Sequence, residues 1–235
     1  MFNVGNKHFY LKKIMNYDLN AFQFIICGTD TDVGKTLISS FFVRGLNSSY
    51  WKPIQSGTEN ETDSKTVRKL SQANKSKILN EAYIFKTPVS PHWAAEIDNV
   101  EIEKEKLNLP KIKGPLVVET AGGLMVPITR NFLQIDQIVI WNLPVIIVCR
   151  SSLGTLNHTL LSIEALRKRN INILGLIVNG ANHLDNTRTL REFSKLPIIA
   201  EFPHLENIEV QNLDILWQEL NIKQNLRRIL KSSFN

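Results

Sequence analysis

Gly34, Lys35 and Thr36 close the stretch FQFIICGTDTDVGKT, residues 22–36. Residues of these types in this order bind phosphate. The backbone N–H groups of a glycine-bearing loop point at the oxygens, and the lysine adds a positive point charge. The hydroxyl that follows is placed to hold a magnesium ion. A helix opening at the lysine adds the positive end of its dipole. Five residues separate Gly28 from Gly34, one more than in the common pattern. The context is still the required one: an apolar, β-rich run precedes the loop, and the helix-forming LISSFF follows it.

Phosphate chemistry needs further charge compensation. Lys52 is a second candidate cation, with Pro53 and a Ser56-Gly57 turn fixing the chain beside it. Magnesium takes hard oxygen ligands and keeps several waters, and Thr36, Asp63 and Glu119 are the candidate donors. Asp32, inside the loop, either reaches magnesium through water or stabilises the turn. Asp63 also qualifies as the N-cap of a helix running to Leu70. No Cys/His nucleophile pair and no zinc-ligand spacing accompanies these residues, and His92 and His158 read equally well as structural or catalytic. The residues alone therefore stop at a magnesium-dependent ATPase or an ATP-using ligase.

Elements that position such residues are readable along the chain. Residues 49–52 read as a short second strand and 53–57 as a turn. Residues 88–92 form a rigid polar turn, and 101–106 alternate charge as on a solvated helix face. A third strand, 116–119, ends in Glu119, and 120–123 read as a tight loop. Strands follow at 144–149, 174–178 and 196–200, with a helix at 155–168 and helical periodicity over 210–230. The strands are continuous aliphatic runs separated by helical segments. That pattern predicts an α/β fold, P-loop NTPase-like, with a mostly parallel sheet covered by helices on both faces. Ligands of such sheets lie beyond the carboxyl ends of the strands. Asp30, Lys52, Glu119, Arg150 and Asn179 all sit at or just after strand ends and are expected to converge on one edge.

The chain of 235 residues is 43% hydrophobic and 21% charged, as in a single globular domain with a sizeable core. One domain is expected over residues 21–235. Residues 1–20 carry little pattern and read as an N-terminal extension, with Met15 a candidate true start. The net charge of +6 is partly terminal, with Lys7, Lys12 and Lys13 at one end and Lys223, Arg227, Arg228 and Lys231 at the other. Solvated ends account for it, and neither a nucleic-acid nor a membrane partner is expected. The two cysteines, Cys27 and Cys149, each end an apolar segment and read as buried free thiols. No apolar run reaches a membrane span and no secretory signal is evident, so cytoplasm is the default expectation.

Taken together, the motifs resemble the dethiobiotin synthetase family. GTDTDVGKT at 28–36 is similar to that family's phosphate loop, including its extra residue. KPIQSG at 52–57, PVSPH at 88–92, ETAGG at 119–123, LGTLNH at 153–158 and residues 175–179 resemble further family signatures, and EFP at 201–203 matches the turn that follows. The matches run in family order over residues 22–205. Thr120 stands where the family usually has glycine, Asp32 where glutamate is usual, and Gly180 where an aspartate is common.

The resemblance implies an ATP-dependent cyclo-ligase of biotin biosynthesis, with ATP as co-substrate and magnesium as cofactor. Its substrates are 7,8-diaminononanoate and CO2. One amine takes up CO2 as a carbamate, ATP phosphorylates the carbamate, and the second amine closes the cyclic urea. By the same resemblance, Lys35 and Lys52 are catalytic. Asp32, Val33, Gly34, Lys35, Thr36, Glu119, Gly122, Asn179 and Pro203 bind ATP, with Asn179 and Pro203 at the adenine. Thr36, Asp63 and Glu119 hold the metal. Thr31, Lys52 and Ser56 face the carbamate. Gly154, Thr155, Leu156 and Asn157 hold the substrate's distant carboxylate from the partner subunit, which implies a homodimer with its active site at the interface.

A switch ATPase of the ParA or MinD type is the rival reading, with the basic C-terminal segment as a targeting helix. That class carries a signature lysine early in its phosphate loop, where this chain has Asp30. An amidotransferase-type synthetase needs a glutaminase domain for which 235 residues leave no room. A non-catalytic paralogue is disfavoured by Lys35, Thr36, Lys52 and Glu119 all being in place.

Overall fold

Apolar strands that alternate between two cores build the molecule. The computed structural model describes residues 18–58, 61–205 and 207–232, so Met15 and most of the proposed extension lie outside the described residues. The strands are β1 (Gln23–Gly28), β2 (Ser49–Trp51), β3 (Ile54–Ser56), β4 (Tyr83–Phe85), β5 (Leu116–Gly123), β6 (Pro127–Thr129), β7 (Phe132–Leu133), β8 (Val145–Arg150), β9 (Ile173–Asn179) and β10 (Ile198–Phe202). The helices are α1 (Lys35–Leu46), α2 (Asp63–Ser71), α3 (Pro91–Ile97), α4 (Gln134–Trp141), α5 (Thr155–Lys168), α6 (Leu184–Ser194), α7 (Val210–Glu219) and α8 (Ile222–Ser232).

Six strands form one sheet in the order β10-β9-β8-β1-β5-β2, and every pairing in it is parallel. Because side chains alternate along a strand, Phe24 and Ile26 enter one core while Ile25 and Cys27 enter the other. The first core takes Phe41 and Phe42 of α1 together with Trp217 of α7 and Leu226 of α8. The second takes Ile135 and Ile138 of α4 and Ile163 and Leu166 of α5. This is the doubly covered α/β sheet that the aliphatic runs predict. Gly45 lets α7 approach α1: a Cβ there would lie 2.3 Å from the Trp217 ring.

Several local expectations are corrected. Residues 53–57 are not only a turn, because Ile54–Ser56 forms β3 and pairs in parallel with β4. The 120–123 segment is not a loop but the end of β5, since Gly123 still pairs with Gly28 of β1. Asp63 is the first residue of α2 and not its cap. Thr62 caps that helix, its side chain accepting from Lys65 N–H, and this frees the Asp63 carboxylate to point elsewhere. Residues 88–92 run into α3, with Pro91 at its start. The 210–230 periodicity resolves into two helices, broken at Asn221 with φ of 49°.

Candidate active site

The register of β1 against β5 creates the site. Ile26 pairs with Glu119 and Gly28 with Gly123, so the loop leaving β1 passes over the side of β5 that carries Glu119. β2 lies on the other flank of β5, pairing Trp51 with Val118 and delivering Lys52 just beyond its last residue. The Glu119 carboxylate is fully buried. Its Oε1 accepts from Lys52 Nζ at 3.0 Å and lies 3.0 Å from Thr36 Oγ1. Its Oε2 accepts from the Tyr50 hydroxyl at 3.0 Å. Thr36 Oγ1 also lies 2.8 Å from Asp63 Oδ1, and Lys52 forms a second ion pair with Asp63.

The electrostatics follow from burial and pairing. Burial disfavours the Lys52 ammonium, but Glu119 and Asp63 outweigh it and raise its pKa above the usual lysine value. Burial likewise pushes the Asp63 carboxyl up, but Lys52 and the Thr36 hydrogen bond bring it below the usual carboxylate value. Lys35 is different. Burial and the neighbouring Lys52 charge lower its pKa, against the smaller pull of Glu119.

The phosphate loop is held in place from behind. Gly34 caps α1 in the left-handed region, φ 95°, and a Cβ there would lie 2.1 Å from Asn179 Nδ2. Asn179 uses that nitrogen to donate to the Val33 carbonyl at 3.0 Å. Lys35 Nζ donates to the Asp30 carbonyl at 2.8 Å. Arg150, ending β8, lies 3.4 Å from the Asp30 carboxylate and donates to the Thr31 carbonyl at 3.3 Å. The strand-end residues therefore do converge, Lys52 and Glu119 within the cleft and Arg150 and Asn179 as struts of the loop.

A cleft of about 840 Å³ opens above this cluster. Thr31, Asp32, Gly34, Lys35, Thr36, Lys52, Ser56, Asp63, Glu119 and Gly122, all expected from the sequence, line it. Val33 does not, being buried under the loop, and neither Asn179 nor Pro203 is on the wall. Gly154, Thr155, Leu156 and Asn157 begin α5 and also lie off this cleft. Thr155 is buried, with its hydroxyl 3.4 Å from that of Thr159. Ser56 Oγ is a buried polar atom on the cleft with no partner among the described residues.

Two contributors escaped the sequence reading. Gln55 carries Oε1 to the Asp63 N–H at 3.2 Å and fixes the start of α2. Tyr50 holds the far side of Glu119. The signal for Tyr50 was its place two residues before Lys52, which puts both on one side of β2.

Asp63 and Glu119 each bring a hard carboxylate oxygen within hydrogen-bonding distance of the Thr36 hydroxyl. That donor set fits magnesium. Among the described residues no group of three or more His, Cys, Asp or Glu side chains offers a different metal centre.

A family model described as an AAA domain matches residues 23–212. ATP-dependent dethiobiotin synthetase BioD of Rhodopseudomonas palustris (strain TIE-1) is 46% identical over 191 residues, covering 81% of this chain and 90% of that protein. The chain belongs to the dethiobiotin synthetase family. The family's enzyme from Agrobacterium fabrum is 44% identical over 82% of this chain and 91% of its own length. That from Brucella ovis is 42% identical over 81% and 90%. Among solved structures, the MinC:MinD cell division protein complex of Aquifex aeolicus superposes with a TM-score of 0.54 at 15% identity, covering 90% of this chain and 96% of that one. That likeness is one of fold, and it agrees with the P-loop NTPase-like architecture.

Proposed function

We propose that this protein closes the ureido ring of dethiobiotin from 7,8-diaminononanoate, CO2 and ATP, releasing ADP and phosphate. The observation that carries the reading is the Lys52–Glu119–Thr36–Asp63 cluster beside the phosphate loop in one cleft, in a chain whose family relatives bear that enzyme's name.

The reaction asks for positioning and charge stabilisation more than for covalent help from the protein. An amine of the substrate attacks CO2 and loses a proton, giving a carbamate. A carbamate oxygen takes the γ-phosphoryl group as the bond to the β-phosphate oxygen breaks. The second amine attacks the carbamoyl carbon and loses a proton, the bond to the phosphate oxygen breaks, phosphate leaves, and the cyclic urea remains. Lys35, whose Nζ now rests on the Asp30 carbonyl, neutralises the phosphates during transfer, and their negative charge favours its ammonium form. Lys52 and Ser56, with Thr31, face the carbamate; the unpartnered Ser56 hydroxyl supports this. Magnesium at Thr36, Asp63 and Glu119 would neutralise charge building on the β- and γ-phosphates.

Asn179 and Pro203 are assigned to the adenine. The carboxylate of diaminononanoate is assigned to Gly154, Thr155, Leu156 and Asn157 of a second copy, where a helix N-terminus favours an anion. Two facts support a second copy: that segment lies off the chain's own cleft, and Leu153 beside it is 99% exposed. The ATP dependence supports a cytoplasmic location.

A product assay tests the reading. The purified protein with magnesium ATP, bicarbonate and diaminononanoate is expected to yield dethiobiotin and ADP by mass spectrometry, with no dethiobiotin when ATP or bicarbonate is omitted. ATP hydrolysis without dethiobiotin would overturn it.

A further inference from the structure

The two oxygens of Glu119 are held by different kinds of partner. Oε1 faces Thr36 and Lys52 on the cleft side. Oε2 faces the other way, into the core, and accepts from Tyr50 Oη at 3.0 Å. Glu119 is completely buried, so water does not take the place of that donor.

Tyr50 is enclosed on every side that the fold offers it. It is fully buried among the apolar residues of the first core. Its backbone pairs with Val117 of β5 on one side, and its carbonyl accepts from Leu79 N–H at 2.9 Å on the other. A phenol in an otherwise apolar cluster needs a hydrogen-bond partner, and Glu119 supplies it.

We propose that Tyr50 is a positioning residue that restricts Glu119 to one-oxygen ligation and so biases the site toward magnesium over calcium. The proposal rests on the reading that Glu119 holds the metal. Magnesium requires near-octahedral geometry and few carboxylate oxygens, whereas calcium accepts six to eight ligands and bidentate carboxylates. A carboxylate whose second oxygen is tied to a locked phenol cannot turn to present both. Phenylalanine at position 50 would preserve the ring packing and release Oε2.

The test compares ADP affinity by calorimetry in saturating magnesium and in saturating calcium, for wild type and Tyr50→Phe. The wild type is expected to bind ADP more tightly with magnesium. In the variant the magnesium-to-calcium ratio should move toward calcium by about tenfold, the size of one hydrogen bond to a charged group. A folded variant with an unchanged ratio would overturn the role of Tyr50, since lost packing alone weakens both metals equally. If neither metal alters ADP binding to the wild type relative to chelator, the metal reading of Glu119 fails and the role of Tyr50 falls with it. Should the variant not fold, wild-type protein labelled with ¹³C-glutamate gives the answer by infrared difference spectroscopy. The carboxylate stretches should show one-oxygen coordination with both metals, and a two-oxygen signature with either would sink the proposal.

Discussion

Lys52 Nζ lies 3.0 Å from Glu119 Oε1, with the two side chains 6% and 0% exposed. A buried pair of this kind costs more to break than it gains by forming. Lys52→Met should therefore lower stability by about 3 kcal/mol, because it strands a buried carboxylate. Urea denaturation measures this, and turnover should vanish in parallel. Retained stability would mean that Glu119 takes up a proton or finds another donor.

Lys35 should behave in the opposite way. Its pKa is lowered by burial and by the neighbouring Lys52, so its charged form is disfavoured in the folded state. Lys35→Met should abolish turnover while leaving the melting temperature unchanged or higher. A large loss of stability would contradict that electrostatic account, and retained turnover would remove Lys35 from the mechanism.

The pH dependence of stability has a definite sign at each end. Asp63 has a lowered folded pKa, so its contribution is present above the unfolded value and is lost as pH falls through the folded one. Lys52 has a raised folded pKa, so its contribution is full below the unfolded lysine value and is lost as pH rises through the folded one. Melting temperature should hold steady through neutrality and fall beyond both limits. In Asp63→Asn the acid limb should become shallower, as thermal melts across the acid range would record.

The sequence disclosed the phosphate loop and the doubly covered sheet because both are local signals: a fixed spacing of Gly28, Gly34, Lys35 and Thr36, and unbroken aliphatic runs. It also placed Lys52 and Glu119 in the cleft, since strand ends must share one edge of a parallel sheet, whereas Thr31, Ser56 and Gly122 came only from the family resemblance. What it did not disclose depended on tertiary register. Pairing across 69 residues brings Tyr50 to Glu119, and the one local signal, its spacing of two from Lys52, does not name Glu119 as the partner. β3 and β4 are three residues each and exist only by pairing with one another. The cap of α2 passed from Asp63 to Thr62 because the Asp63 carboxylate is drawn to Lys52 and Thr36.

The cysteines should be inert. Burial raises the Cys27 thiol to about 12 and the Cys149 thiol to about 11, and both are free and buried. The thiolate is the reactive form, so native protein at pH 8 should not react with a thiol-specific reagent, while denatured protein should release both. Rapid labelling of native protein accompanied by loss of activity would show that the core opens around β1 or β8.

The assignment of Gly154 to a second copy's site has the most distinctive consequence. Gly154 has φ 91° at the start of α5, and a Cβ there meets nothing closer than His158 at 3.7 Å. That left-handed backbone strains any side chain, and a larger one would also occupy the space claimed for the substrate carboxylate. Gly154→Leu should raise KM for diaminononanoate far more than KM for ATP. At diaminononanoate concentrations well below the raised KM, where each variant alone has little activity, it should also be complemented by Lys35→Ala. In a mixed dimer one active site combines both lesions, and the other combines an intact phosphate loop from one chain with an intact α5 start from the other. Mixing the two inactive proteins under subunit exchange should restore activity that neither shows alone. If mixing restores nothing while wild-type chains exchange freely, each active site belongs to a single chain, and Gly154 has no place in binding across the interface.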